Sequence, residues 1–336
     1  MMFRRWLVSL GVWYLYVPHL TIMRLLGPKC ALRISRVLAW MHWLLTFVGA
    51  QRSVRNALTK TRDHLLPDMS ISTMMRKHLE LKYQHFISWH LCATKRGREH
   101  AIQSSRSFEN SEYFDQALAQ GRGCIVLAWH FGMAKMLRMG LTRYNRDAYE
   151  VVFRSATWSA DALPAVAKRA MLVAVNTDRK CGMKNIYVRH GTRPLALIKR
   201  LRQGKTMGMA GDGMVAGDFV EVPFLGGTMR FPSGLARLSA LTGAPLLPLF
   251  ALMEDIDTNR LIAHPPINVP DNSPETIEAT VRQCAAILES YVRRYPWAWW
   301  IWHRLSFEQT PGQQLQILAR APAPEEREIY YEPVTD

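Results

Sequence analysis

The sequence predicts an α/β fold built on a mainly parallel sheet with helices on both faces. Short apolar runs of strand length, such as CIVLA (124–128) and PLLPLFAL (245–252), recur along the chain. Between them stand stretches whose apolar residues follow a helical period, and this alternation implies parallel strands joined by crossover helices. At 336 residues and 49% apolar composition, the chain can bury a sizeable core.

The first element is basic and apolar. Residues 1–60 carry nine Lys or Arg and no acid, and Asp63 is the first carboxylate. The run WLVSLGVWYLYVPHLTIMRLL (6–26) is nearly long and apolar enough to span a bilayer, but Pro18, His19 and Arg24 interrupt it. A second run, VLAWMHWLLTFVG (37–49), is too short to span. Trp and Tyr are abundant in this front end, as at membrane interfaces. No small-residue cleavage site follows, which argues against a removed signal peptide. Three arrangements fit: one spanning or embedded helix, helices lying in the interface, or an ordinary buried hairpin. Arg4 and Arg5 favour a cytoplasmic N-terminus. A spanning helix would need a route back for the rest of the chain, so residues 1–50 are expected to attach monotopically to a cytoplasmic leaflet.

The next elements follow in order. Residues 54–66 and 71–96 read as helices rich in Lys, Arg and His, and 111–123 as a helix closed by glycine. GCIVLA is a buried strand, and a helix is expected to follow His130. YEVVF (149–153) is a strand, and ADALPAVAKRAMLVAV (160–175) opens as a helix. TRPLALIKRLRQG (192–204) is an amphipathic helix ended by Gly204. TMGMAGDG is a strand entering a turn, DFVEVPFLGG a strand and turn, and 233–244 a helix before PLLPLFAL. The last helix, 273–296, opens at Ser273, whose third successor is Thr276, so its capping box is incomplete. Residues 51–305 form the α/β domain. The tail 306–336, with six acids and two arginines, is expected to be mobile or loosely docked.

The net charge of +16 calls for an anionic partner. The basic residues coincide with apolar runs and no nucleic-acid motif is present, which favours a membrane over nucleic acid. Five scattered cysteines, without a CxxC or metal spacing, read as free thiols in a reducing compartment. There is no Walker loop and no GxGxxG, and neither a cofactor nor a metal is expected.

The stretch LAWHFGMAKMLRMG (127–140) carries the chemistry. Ligand sites in parallel sheets lie beyond the carboxyl ends of the strands, and His130 stands at such an end. Histidine suits a general base because it titrates near neutrality. A carboxylate normally accepts the ring's other N–H. The fifth residue on is Lys135, whose ammonium has only donors and cannot do so.

Several landmarks stand in a characteristic order: RSVRNAL (52–58), ALAQGRGCIVLAWHFG (117–132), TRPLALIKRLRQGKTMGMAGDG (192–213), FVEVPFLGGTMRFPSGLARLSALTGAPLLPLF (219–250) and YPWAWWIWHRL (295–305). Together they resemble the lipid A late acyltransferases, the lauroyl/myristoyl acyltransferase family, over nearly the whole chain to residue 305. The resemblance implies a membrane-attached, glycerolipid acyltransferase-like α/β fold at the cytoplasmic face of a bacterial inner membrane. It implies acyl transfer from acyl carrier protein to a hydroxyl of an anionic lipid or glycolipid. The family's motif is a histidine, four residues, then Glu or Asp. His130 and Gly132 match it and Lys135 does not. Arg154 falls where the family carries an arginine near the substrate.

Three outcomes remain open at the altered motif. Asp212, at the end of the MAGDG strand, replaces the missing acid, with Asp218 and Glu221 as weaker candidates. Alternatively His130 works alone on a better nucleophile such as an amine, or the site no longer does chemistry. The expected catalytic residues are His130 and Asp212, and the expected substrate-binding residues are Gly132, Lys135 and Arg154. Each also has an ordinary reading: His130 packed under its turn, Lys135 solvated, Asp212 shaping a turn with Gly211 and Gly213, Arg154 in an ion pair. WAWWIWHR (297–304) reads equally as an interfacial belt or as core aromatics. An acyltransferase and a non-catalytic relative that binds lipid or carrier protein are the competing functions. Lys135 is the feature that separates them.

Overall fold

The computed structural model describes residues 18–45, 50–66, 68–144, 149–152, 176–177, 180–181, 185–187, 195–213, 218–308 and 315–319. At the N-terminal side, helix α1 (Leu20–Leu26) turns through Gly27, at φ 79°, into α2 (Pro28–Leu45). Helix α3 (Ala50–Lys60) precedes α4 (Ile71–Leu91), whose N-cap Ser70 accepts the Thr73 N–H at 3.2 Å. Ala31, Leu32, Ser35 and Ala39 recur at helical spacing on α2 and are buried. Leu20, Met23, Ala31 and Leu32 form a small separate core with Ile87 and Leu91 of α4. The helix expected over 71–96 is two helices. It stops at Leu91, and Thr94 accepts the Gly97 N–H at 3.0 Å to cap α5 (Lys95–Ser104).

The sheet follows the alternation in the sequence. Strand β1 (Ser105–Glu109) leads through α6 (Glu112–Ala119) to β2 (Cys124–Ala128), and α7 (Leu137–Arg143) leads to β3 (Tyr149–Val152). Then come β4 (Asn185–Tyr187), α8 (Leu195–Arg202) and β5 (Thr206–Ala210). The β6 (Phe219–Phe224) and β7 (Gly227–Pro232) hairpin stands apart, and α9 (Gly234–Thr242) returns the chain to β8 (Leu246–Asp255) and β9 (Thr258–Ala263). The order β1-β9-β8-β2-β5-β3-β4 makes a seven-stranded sheet. Its pairings are parallel except for β8 with β9, an antiparallel hairpin. Central strand β2 is buried at Cys124, Ile125, Val126 and Leu127, as a strand covered on both faces must be. The helix 160–175 and the last residue of YEVVF lie outside the described residues, as does residue 17 and everything before it.

Helix α10 (Pro274–Arg294) starts at Ser273, which caps the Thr276 N–H at 3.3 Å, so a single cap replaces the full box. Of the tail, residues 306–308 and 315–319 are described, and 309–314 and 320–336 lie outside the described residues. Strands β10 (Leu305–Glu308) and β11 (Gln316–Ala319) pair antiparallel, and β11 pairs in parallel with β7. They complete a four-stranded sheet of order β10-β11-β7-β6. Ile317, 1% exposed, supplies the apolar anchor that outweighs the tail's polar composition. Among the described residues no helix is long and apolar enough to cross a membrane. The five cysteines are free thiols.

Candidate active site

The site grows from the register of two neighbouring strands. β2 and β5 run parallel with Ala128 opposite Ala210. Two residues past each partner stand His130 and Asp212, so both leave the sheet at the same height on adjacent strands. Gly211 closes the approach by donating its N–H to the Ala128 carbonyl at 2.8 Å. A Cβ at Gly211 would stand 2.5 Å from the Leu127 side chain, so glycine permits this contact.

Asp212 is fully buried, while the His130 side chain is 43% exposed. His130 Nδ1 lies 2.8 Å from Asp212 Oδ1. The His130 backbone N–H is shared by both carboxylate oxygens at 3.1 Å each. Trp299 Nε1 donates to Oδ2 at 3.0 Å. Burial alone would raise the Asp212 pKa. The His130 charge, then the hydrogen bonds from His130 and Trp299, outweigh it and hold the carboxyl below the usual carboxylate range. An ionised Asp212 accepts, so Nδ1 carries the proton and Nε2 presents the lone pair.

Packing fixes both residues. Trp129, before His130, stacks on Phe250 at 4.6 Å, and Phe250 stacks on Tyr291 at 3.7 Å. Trp299 meets Trp302 edge-on at 4.9 Å, and both are fully buried. WAWWIWHR therefore contributes core aromatics at Trp299 and Trp302. The Trp300 N–H donates to the His130 carbonyl at 2.8 Å. Trp299 is the site residue that the sequence reading missed. The density of tryptophans was the available signal, but nothing local links it to a strand end 87 residues away.

The remaining sequence candidates fare differently. No helix starts at His130. Gly132 takes φ 57° and gives its N–H to Ala298, and Met133 gives its N–H to Ala251, both at 2.8 Å. A Cβ at Gly132 would overlap the Ala251 carbonyl oxygen. Gly132 is thus a buried close-approach position with its N–H committed to Ala298. Position 135 lies on a 3-10 turn (Ala134–Met136) facing α4. The Lys135 N–H donates to His85 Nε2 at 3.2 Å, and its ammonium lies 4.7 Å from the Trp89 ring centroid. Burial, then the Lys135 charge, holds His85 well below the usual histidine value. Asp218 and Glu221 are exposed and face Arg237 at 3.7 Å and Arg230 at 3.9 Å. Arg154 lies outside the described residues. No group of three or more metal-ligating side chains assembles among the described residues.

This pair of residues sits on a chain with recognisable relatives. Residues 1–306 match the family model described as bacterial lipid A biosynthesis acyltransferase. Curated relatives include phosphatidylinositol mannoside acyltransferases from two strains of Mycobacterium tuberculosis. One is 27% identical over 163 residues, 48% of this chain and 48% of the relative. The other is 27% identical over 159 residues, 47% of each. The matched region spans about half the length of these curated relatives. The family match reaches far further along the chain, and the protein belongs to the bacterial lipid A biosynthesis acyltransferase family.

Proposed function

We propose that the protein transfers a fatty acyl group from a thioester, carried by acyl carrier protein, to a hydroxyl of an anionic lipid or glycolipid. The observation that carries this reading is the 2.8 Å contact between His130 Nδ1 and the buried Asp212 carboxylate at the ends of neighbouring strands. Nε2 removes the acceptor hydroxyl proton as the oxygen attacks the thioester carbonyl carbon. Asp212 holds the tautomer and stabilises the imidazolium. The tetrahedral intermediate then collapses, the C–S bond breaks, and the imidazolium returns its proton to the departing thiolate. Family membership and the activity for which the mycobacterial relatives are named support acyl transfer to a phosphorylated glycolipid. Lys135, the residue that favoured a non-catalytic relative, is engaged with α4 and leaves the His130–Asp212 contact intact. The test supplies purified protein with acyl carrier thioesters and an extract of anionic glycolipids, and reads new acylated lipids by mass spectrometry. A product that requires protein and thioester supports acyl transfer. No product with any thioester would move the reading to the non-catalytic relative.

The same proposal includes monotopic attachment to the cytoplasmic face of an inner membrane. Val37, Trp40, Met41 and Leu44 are exposed on one face of α2 at spacings of three and four residues, and Leu25 on α1 is 80% exposed. Exposed Lys29 and Arg33 border this apolar stripe with positive charge. The triple substitution Leu25→Glu, Trp40→Glu and Leu44→Glu is expected to release the protein from vesicles of anionic phospholipid in a flotation assay. Undiminished flotation of that variant would show that this face does not attach the protein.

A further inference from the structure

Two groups decide which way the Asp212 carboxylate faces. The His130 backbone N–H lies 3.1 Å from both oxygens and favours neither. His130 Nδ1 takes Oδ1 at 2.8 Å, and the Trp299 indole N–H takes Oδ2 at 3.0 Å. Asp212 is fully buried, so bulk water cannot stand in for a lost donor.

The indole is held in turn by its own surroundings. Trp299 is fully buried, and its ring meets Trp302 edge-on at 4.9 Å and Phe224 at 5.4 Å. Backbone bonds tie the same segment to the chain around His130. The Gly132 N–H donates to the Ala298 carbonyl and the Trp300 N–H to the His130 carbonyl, both at 2.8 Å. Phe131 and Trp299 thereby stand opposite each other in an isolated antiparallel bridge. The neighbours of Trp299 are thus bonded to the neighbours of Phe131, and imidazole, carboxylate and indole share one bonded frame. Packing alone would account for a buried aromatic ring here, but not for its partner. Trp302 shows the ordinary arrangement of a core tryptophan, with its N–H on the Pro296 carbonyl at 2.6 Å. Trp299 instead gives its N–H to the side chain that faces the imidazole.

We propose that Trp299 is a positioning residue for the acyl-transfer step. Its N–H holds Oδ2, so Oδ1 stays aimed at Nδ1 while the imidazole takes the acceptor's proton and becomes positive. This assignment rests on the acyl-transfer reading of His130 and Asp212. Without the donor, the carboxylate is free to turn or to take a proton on Oδ2, and either change weakens its hold on the imidazolium. The effect of Trp299 on the reaction runs through Asp212.

A change of one ring atom separates this role from packing. Position 299 of the full-length protein, in neutral detergent, is decoded with benzothienylalanine, which keeps the fused ring and puts sulfur where the N–H stood. The same decoding with tryptophan is the control. Initial rates with an acyl carrier thioester and a lipid acceptor are expected to show kcat lowered about tenfold or more, the scale of one lost charge-assisted hydrogen bond, with KM unchanged. Trp299→Phe is expected to lose at least as much and also to unfold at lower temperature. In a His130→Ala background the analogue should cost nothing further, because no imidazole remains to be aimed. The ring-nitrogen NMR shift of His130, identified by its loss in His130→Ala, is expected to move in the analogue. An analogue as fast as the control, or a loss that persists in full in the His130→Ala background, overturns the role of Trp299 and leaves acyl transfer standing. No transfer by the control would remove the acyl-transfer reading, and the His130 shift then decides. Movement in the analogue keeps Trp299 as the group that orients the pair, and no movement overturns it.

Discussion

Replacing His130 with alanine is expected to lower the rate of acyl transfer by about 10²–10⁴-fold, the usual contribution of a positioned general base. The loss should fall on kcat, since the imidazole acts on the hydroxyl proton as it leaves. The fold should survive. The His130 side chain is 43% exposed, and the hydrogen bonds that fix its place on the chain come from its backbone N–H and carbonyl. Rates from radiolabelled acyl thioester, compared at equal folded protein, check this. An unchanged kcat would remove His130 from the mechanism.

Asp212→Asn is expected to cost a comparable factor, about 10²-fold or more, for a different reason. The amide keeps the shape but brings an N–H where the carboxylate only accepted. Oriented to accept from the ring Nδ1, it points its NH2 at the Trp299 indole and the His130 backbone, which already donate. Oriented to accept from Trp299, it turns its NH2 to the ring, donates to Nδ1 and drives the proton to Nε2, where the lone pair is needed. The substitution should also change stability. Asp212 has a lowered pKa, so its contribution is present above the ordinary carboxylate range and is lost as pH falls through its depressed folded value. The variant should therefore be less stable than wild type at pH 7, with the difference shrinking in acid. Urea unfolding at several pH values reads this. A variant as active and as stable as wild type would show that the carboxylate charge matters to neither.

Much of this site was legible because strand ends are legible. CIVLA and TMGMA are each followed, one residue on, by a polar residue, and parallel sheets gather ligands at such ends. That made His130 and Asp212 candidates before any contact was known. Their partnership was less accessible. It depends on β5 lying beside β2 with Ala128 opposite Ala210, a pairing of positions 82 residues apart in the chain. The helical period after His130 was misleading. Gly132 and Met133 spend their N–H groups on Ala298 and Ala251, so the chain runs as a loop and the helix begins only at Leu137. Lys135 consequently faces Trp89 and His85, an environment that spacing along one segment could not reveal. Trp299 was hidden for the same reason as the β2–β5 register. The tail strand at 316–319 was obscured by the acidic residues around it, because a few well-placed apolar side chains are enough to dock a short strand.

The central claim is that His130 and Asp212 act as one unit in acyl transfer. A double-mutant cycle on kcat tests it most directly, using wild type, His130→Ala, Asp212→Asn and the double variant with one thioester and one lipid acceptor. If the carboxylate works only through the imidazole, the double variant should be no slower than His130→Ala alone. Losses that multiply across the two sites would contradict the account, as they would mean that Asp212 serves catalysis independently of His130.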